Sequence, residues 1–116
     1  VVGLGVAVKR SAVEVECQAR RCAEGLDEDG APAPRLNGPA VIVSSWSPMQ
    51  WAGALGCEVS DDAGSFVCNA WLYRVAGDLD CPVVFIHVPS GGLEPKRFLK
   101  ALETMAAVGV HSGEPG

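Results

Sequence analysis

Two hydrophobic periods alternate along this chain, and the points where one gives way to the other predict its elements. Val1–Ala7 is a run of apolar residues and glycines of the kind a strand covered on both faces shows. Over Ser11–Cys17 the period falls to two. Val13, Val15 and Cys17 interleave with Glu14 and Glu16, so one face is apolar and two carboxylates project from the other. Glu24 to Pro39 carries Gly25, Gly30, Gly38, Pro32, Pro34 and Pro39 beside Asp27, Glu28 and Asp29, and reads as a long loop. Ala40–Ser44 is a short β-branched run. Ser47-Pro48 supplies an N-cap with proline at the first helical position, Met49 to Leu55 a short helix, and Gly56 its terminator.

Cys57–Ser60 predicts the next strand. Beyond the polar turn Asp61–Ser65, Phe66, Val67, Ala70, Trp71 and Val75 recur at helical spacing, which places Cys68 in the first turn of a helix running to about Val75. Pro82–Val88 is the most apolar strand, and Pro89-Ser90-Gly91-Gly92 breaks it. Glu94-Pro95 opens a last helix whose apolar face is Phe98, Leu99, Leu102, Met105 and Ala106. Strands alternating with helices in this order predict an α/β domain, three-layered α/β/α with a mostly parallel sheet, over residues 1–110. His111 to Gly116 reads as a polar tail. Because the first strand begins at residue 1 with no lead-in, the domain is expected to be truncated at its N-terminus.

Composition narrows the classes. The chain has 116 residues, 48% of them hydrophobic, enough for one core, and a net charge of −5 with no Lys/Arg run. That balance speaks against nucleic acid or an anionic membrane as partner. No apolar stretch reaches the roughly eighteen residues of a membrane span, and Lys9 and Arg10 follow the first apolar run where a secretory signal would have them precede it. A cytoplasmic protein is expected. The five cysteines are irregularly spaced without a C-x-x-C pair, and His87 and His111 lack companions at zinc-site spacing, so neither a metal nor another cofactor is expected.

The candidate chemistry lies in two segments, Ser60–Asn69 and Val83–Pro89. The first delivers Cys68 to a helix N-terminus; the second carries His87 near the end of a buried strand. A helix N-terminus and a neighbouring imidazolium both favour the thiolate, the nucleophilic form of cysteine. In an open α/β sheet functional groups gather at the carboxyl ends of strands, which would bring Cys68 and His87 to one edge. Glu16 is the carboxylate best placed to fix the imidazole tautomer. Taken singly, His87 reads as a hydrogen-bonded core residue, Cys68 as helix packing, and Glu14 and Glu16 as a solvated strand face. The joint pattern changes that reading.

Asp62-Ala63-Gly64-Ser65-Phe66-Val67-Cys68-Asn69 and Phe85-Ile86-His87-Val88-Pro89 together resemble two segments of pyroglutamyl peptidase I, the pyrrolidone-carboxyl peptidase family of cysteine peptidases. Val2-Gly3-Leu4 and Arg10–Glu16 look like the same family's strand, turn and second strand ending in a glutamate. The resemblance implies a Cys68 nucleophile, His87 as general base and acid, and Glu16 orienting His87. Phe66 and Val67 would line the substrate pocket. The implied substrate is a peptide with an N-terminal pyroglutamate, with a homo-oligomer left open. The family's aromatic substrate loop has no counterpart in the chain, which looks like the C-terminal half, and a catalytically silent α/β interaction domain is the alternative.

Overall fold

Strand β6 (Val84–Val88) organises the molecule, because its alternating side chains feed two separate cores. The computed structural model describes residues 1–7, 9–21, 36, 38–64 and 67–112, with the backbone alone at 67 and 108–112. Most of the expected 24–39 loop, Phe66 and residues 113–116 of the expected tail lie outside the described residues, as does the side chain of Val67.

The main sheet has the order β1-β6-β2-β5, where β1 is Val2–Val6, β2 Glu14–Glu16 and β5 Glu58–Ser60. β1 runs parallel to β6 with Gly5 beside His87, and β5 parallel to β2 with Ser60 beside Glu16. Between these two parallel pairs, β2 meets β6 antiparallel, Glu14 opposite His87 and Glu16 opposite Phe85. The strand expected over Ser11–Cys17 stops at Glu16. There the chain bends: the Cys17 amide donates to the Ser60 carbonyl at 2.7 Å and its carbonyl accepts from the Ser44 amide at 2.7 Å. β3 (Gln18–Arg20) then leaves the main sheet to pair antiparallel with β4 (Val41–Val43).

Helices cover both faces, as the three-layer expectation requires. On one side α1 (Pro48–Leu55) and α3 (Pro95–Ser112) pack on Val13, Val15, Val84, Ile86 and Val88. Trp51 sits edge-on to Trp46 at 5.2 Å and stacks on Phe98 at 6.3 Å, tying α1 to α3. Each fully buried side chain here, Leu55, Ile86 and Met105 among them, is worth roughly 1.5–3 kcal/mol of apolar burial. On the other side α2 (Val67–Asp78) packs Leu72 and Tyr73 against Val83, Phe85 and Ala19.

Local signals held unevenly. Gly56 terminates α1 in the left-handed conformation, as expected. Ser47 does not cap α1 with its side chain; it adopts φ 34°, and its carbonyl accepts the Gln50 and Trp51 amides. α2 continues past Val75 by three residues, to Asp78. On α3, Leu99 is 55% exposed and Ala106 is also exposed, whereas Ala101 is buried, so the helix turns a narrower stripe to the sheet than its apolar residues suggest. That helix starts where expected, with the Glu94 carboxylate accepting the amides of Lys96 and Arg97, and continues through His111 and Ser112, the first two residues of the expected tail. Among the described residues no helix is long and apolar enough to cross a membrane.

Candidate active site

Phe85 and His87 alternate with Val84, Ile86 and Val88 along β6, so period two alone aims them at the α2 face. Glu16, opposite Phe85 on the antiparallel neighbour, projects from the same face and is diagonal to His87. His87 Nδ1–H donates to Glu16 Oε2 at 2.6 Å. That bond fixes the tautomer and leaves Nε2 as the ring nitrogen able to meet Cys68, which lies close enough to the ring to favour its charged form. Phe85 packs edge-on against the imidazole at 4.9 Å and, on its other side, against Trp71 at 5.5 Å.

Burial is the point at which the sequence picture needs correction. Glu14 and Glu16 do share a face of β2, but only Glu14 keeps partial exposure; Glu16 is 0% exposed. One of its oxygens, Oε1, is buried without a hydrogen-bond partner among the described residues. Burial presses the His87 imidazole toward its neutral form, yet its interactions with Cys68 and Glu16 outweigh burial and push its pKa up to about 9. Elsewhere burial pushes the thiols of Cys17 and Cys57 up, with Glu16 and Asp61 adding to the effect at Cys17.

The route that brings Cys68 to His87 differs from the expected one. A shared carboxyl edge cannot explain it, because β5 runs antiparallel to β6 and their carboxyl ends face opposite ways. The chain instead leaves β5 at one edge of the sheet and crosses the face to reach β1 at the other, where the Cys68 sulfur lies over Gly5. A Cβ on Gly5 would stand 2.9 Å from that sulfur and 2.7 Å from the Phe85 ring, so glycine is what admits the thiol to the sheet.

The crossing is held by short-range polar chemistry. Ser60 Oγ accepts the Asp62 amide at 3.1 Å, Asp62 Oδ1 accepts the Gly64 amide at 3.0 Å, and Gly64 takes φ 92°, open to glycine without strain. The Gly64 amide, together with the neighbouring Arg20 charge, holds the Asp62 carboxyl below the usual carboxylate range. Asn69 docks the first turn of α2 on β3: its Nδ2 donates to the Arg20 carbonyl at 2.8 Å and its Oδ1 accepts the Arg20 amide at 2.9 Å. Asn69 stands in a quoted motif, but as an unassigned letter.

Arg10 escaped the sequence reading. Its guanidinium donates to Glu14 Oε1 at 3.0 Å, Glu16 Oε2 at 2.8 Å and the Asp62 carbonyl at 2.6 Å. An arginine four and six residues before two strand carboxylates is a signal that could have flagged it. A pocket of about 380 Å³, lined by Gly3, Leu4, Gly5, Cys68, Trp71 and Phe85, opens on the thiol. A larger hollow of about 610 Å³, bordered by Ser11, Glu14, Cys57 and Arg97, touches neither Cys68 nor His87. Among the described residues no group of three or more His, Cys, Asp or Glu side chains is arranged to hold a metal.

This three-layer frame has close counterparts among solved structures. A mutant pyrrolidone carboxyl peptidase from the hyperthermophile Pyrococcus furiosus superposes with a TM-score of 0.75 at 18% identity, over 96% of this chain and 68% of its own. The fold is that of the pyrrolidone carboxyl peptidases. The enzyme from Thermus thermophilus gives 0.69 at 22% identity, over 94% of this chain and 66% of its own. That from Thermococcus litoralis gives 0.71 at 19%, over 93% and 64%. The chain thus spans about two thirds of the length of these structures, more than the half its motifs suggest. No protein-family model matches the chain, and no curated protein matches it by sequence.

Proposed function

We propose that the protein is a cysteine peptidase of the pyroglutamyl type, removing an N-terminal pyroglutamyl residue with Cys68 as nucleophile, His87 as general base and acid, and Glu16 as the group orienting His87. The observation that carries the reading is the buried pair in which Glu16 holds His87 Nδ1 at 2.6 Å, with Cys68 close enough to the same ring to favour its charged form. It is supported by the pyrrolidone-carboxyl-peptidase fold around it and by the pocket that opens on the thiol.

In this reading the Cys68 thiolate attacks the pyroglutamyl carbonyl carbon, forming a carbon–sulfur bond. The first-turn amides of α2, which have no intrahelical acceptor, are suited to receive the developing oxyanion. The imidazolium of His87 gives its proton to the departing amine as the carbon–nitrogen bond breaks, which leaves a thioester and a neutral ring. His87 then takes a proton from water, whose oxygen attacks the thioester; pyroglutamate departs, and the thiolate–imidazolium pair is restored. Phe66 and Val67 are assigned to the wall around the pyrrolidone ring.

A pyroglutamyl chloromethyl ketone tests both the nucleophile and the substrate class. It should alkylate Cys68 ahead of the other four cysteines, free pyroglutamate should slow that reaction, and cleavage of a pyroglutamyl-amide reporter should vanish in Cys68→Ser. Equal labelling of all five thiols would overturn the nucleophile. Fast labelling of Cys68 with no preference for the pyroglutamyl reagent over iodoacetamide would overturn the substrate.

A further inference from the structure

A group that orients a catalytic histidine must itself be held in place. Glu16 is fully buried, and among the described residues Oε1 has no hydrogen-bond partner while Oε2 receives two donors, His87 and Arg10. Among the described residues, apart from the histidine that it is meant to position, Arg10 is therefore the side chain that holds the carboxylate. The same guanidinium reaches the Asp62 carbonyl at 2.6 Å, in the turn that leads into α2 and Cys68.

We propose that Arg10 is a positioning residue that clamps the Glu16 carboxylate and the 61–64 turn to each other, and so sets His87 and Cys68 in register from both sides. The inference rests on the triad reading above. Its electrostatic half follows from the charges gathered on this face of the sheet. Glu14 and Glu16 come from β2, His87 from β6, Cys68 from α2, and Asp62 with its partner Arg20 from the turn and β3. Two carboxylates two residues apart on one strand face repel, and Arg10 binds both, at 3.0 and 2.8 Å. Without it the buried Glu16 would lose a counter-charge and one of its two hydrogen bonds, and the protonated carboxyl would be favoured. A neutral Glu16 no longer stabilises the imidazolium, and the thiolate loses its partner. The geometric half needs the planar fork of arginine. A lysine ammonium could meet one carboxylate but not span Glu14, Glu16 and the Asp62 carbonyl together.

The test follows iodoacetamide labelling of Cys68, residue by residue, from about pH 5 to about pH 10 in the wild type, Arg10→Ala, Arg10→Lys and His87→Ala. Arg10→Ala should label Cys68 about tenfold to a hundredfold more slowly than wild type near pH 6, yet close to the wild-type rate near pH 10, where hydroxide removes the need for an imidazolium partner. Added guanidinium should recover part of the loss, and Arg10→Lys should fall between the two. A folded Arg10→Ala protein with the wild-type profile would overturn the proposal. So would a loss equal at both pH values and untouched by guanidinium, the mark of a collapsed turn. Should Arg10→Ala not fold, Arg10→Lys decides: a profile displaced to higher pH supports the clamp, and an unchanged one overturns it. His87→Ala separates the two levels. If it labels like wild type, the triad falls and the clamp with it; if it loses the acid-side advantage while Arg10→Ala keeps it, the clamp alone falls.

Discussion

The two faces of β6 stand one residue apart and are built on different physics. Val84, Ile86 and Val88 enter an apolar core with Trp51, Leu55 and Met105, where burial is non-directional and volume matters more than angle. Phe85 and His87 enter a face on which Glu16 meets His87 at 2.6 Å and Arg10 at 2.8 Å, and Cys68 closes the set. One strand thus separates a purely apolar core from a smaller core that also carries the chemistry. A substitution on one face should leave the other face's property nearly intact, and that separation can be attacked directly.

The largest effect is expected on the polar face. His87→Ala should cut turnover of a pyroglutamyl-amide reporter by about 10²–10⁴-fold and abolish the preferential labelling of Cys68 near pH 6. If the separation holds, urea unfolding of the same variant above about pH 9, where the charge of His87 no longer adds stability, will show a smaller loss than an apolar-face deletion. Ile86→Ala, one position away, should do the reverse. Its cost to unfolding stability is expected at about 2–5 kcal/mol, with the pH profile of Cys68 labelling unchanged in the folded fraction. A shifted profile in that variant would mean that the two faces are coupled through the strand.

Gly5→Ala probes the boundary, since its new methyl would meet both Phe85 and Cys68. Overpacking there should cost about 1–3 kcal/mol in a denaturant titration and slow Cys68 labelling as the sulfur is displaced. Stability without a labelling change would mean that the thiol is free to shift. A pH series sharpens the same contrast. The fold raises His87 from 6.5 to about 9, so its contribution to stability is complete below about 6.5 and is lost as pH climbs through about 9. Thermal midpoints of the wild type should therefore decline across that window, and those of His87→Ala should lack this component. The smallest effect is expected from Tyr73→Phe, which removes the hydroxyl donated to the Pro39 carbonyl at 2.5 Å. About 1 kcal/mol should be lost, with no change at Cys68.

Legibility followed the range of the forces involved. Local periodicity was enough for β1, α1, α2, β6 and the start of α3, because the chain itself repeats every two or 3.6 residues whatever surrounds it. Cys68 and His87 stood out for the same reason, one at a helix N-terminus and one in a strand, and the segments around them carried the resemblance to a peptidase family. The sequence by itself therefore determined the α/β class, which residues share a face, and a short set of reactive groups. Tertiary structure decided how those groups meet. The antiparallel pairing of β2 with β6 puts Glu16 diagonal to His87, and the crossing from β5 to β1 sets Cys68 over Gly5. Burial of Glu16, which looks like a solvated position in an alternating strand, is set by the tertiary fold, and Arg10 gains its third partner, the Asp62 carbonyl, only when the 61–64 turn arrives. Strand direction, coverage and long-range hydrogen bonds depend on residues tens of positions apart, and no local period along the chain encodes them.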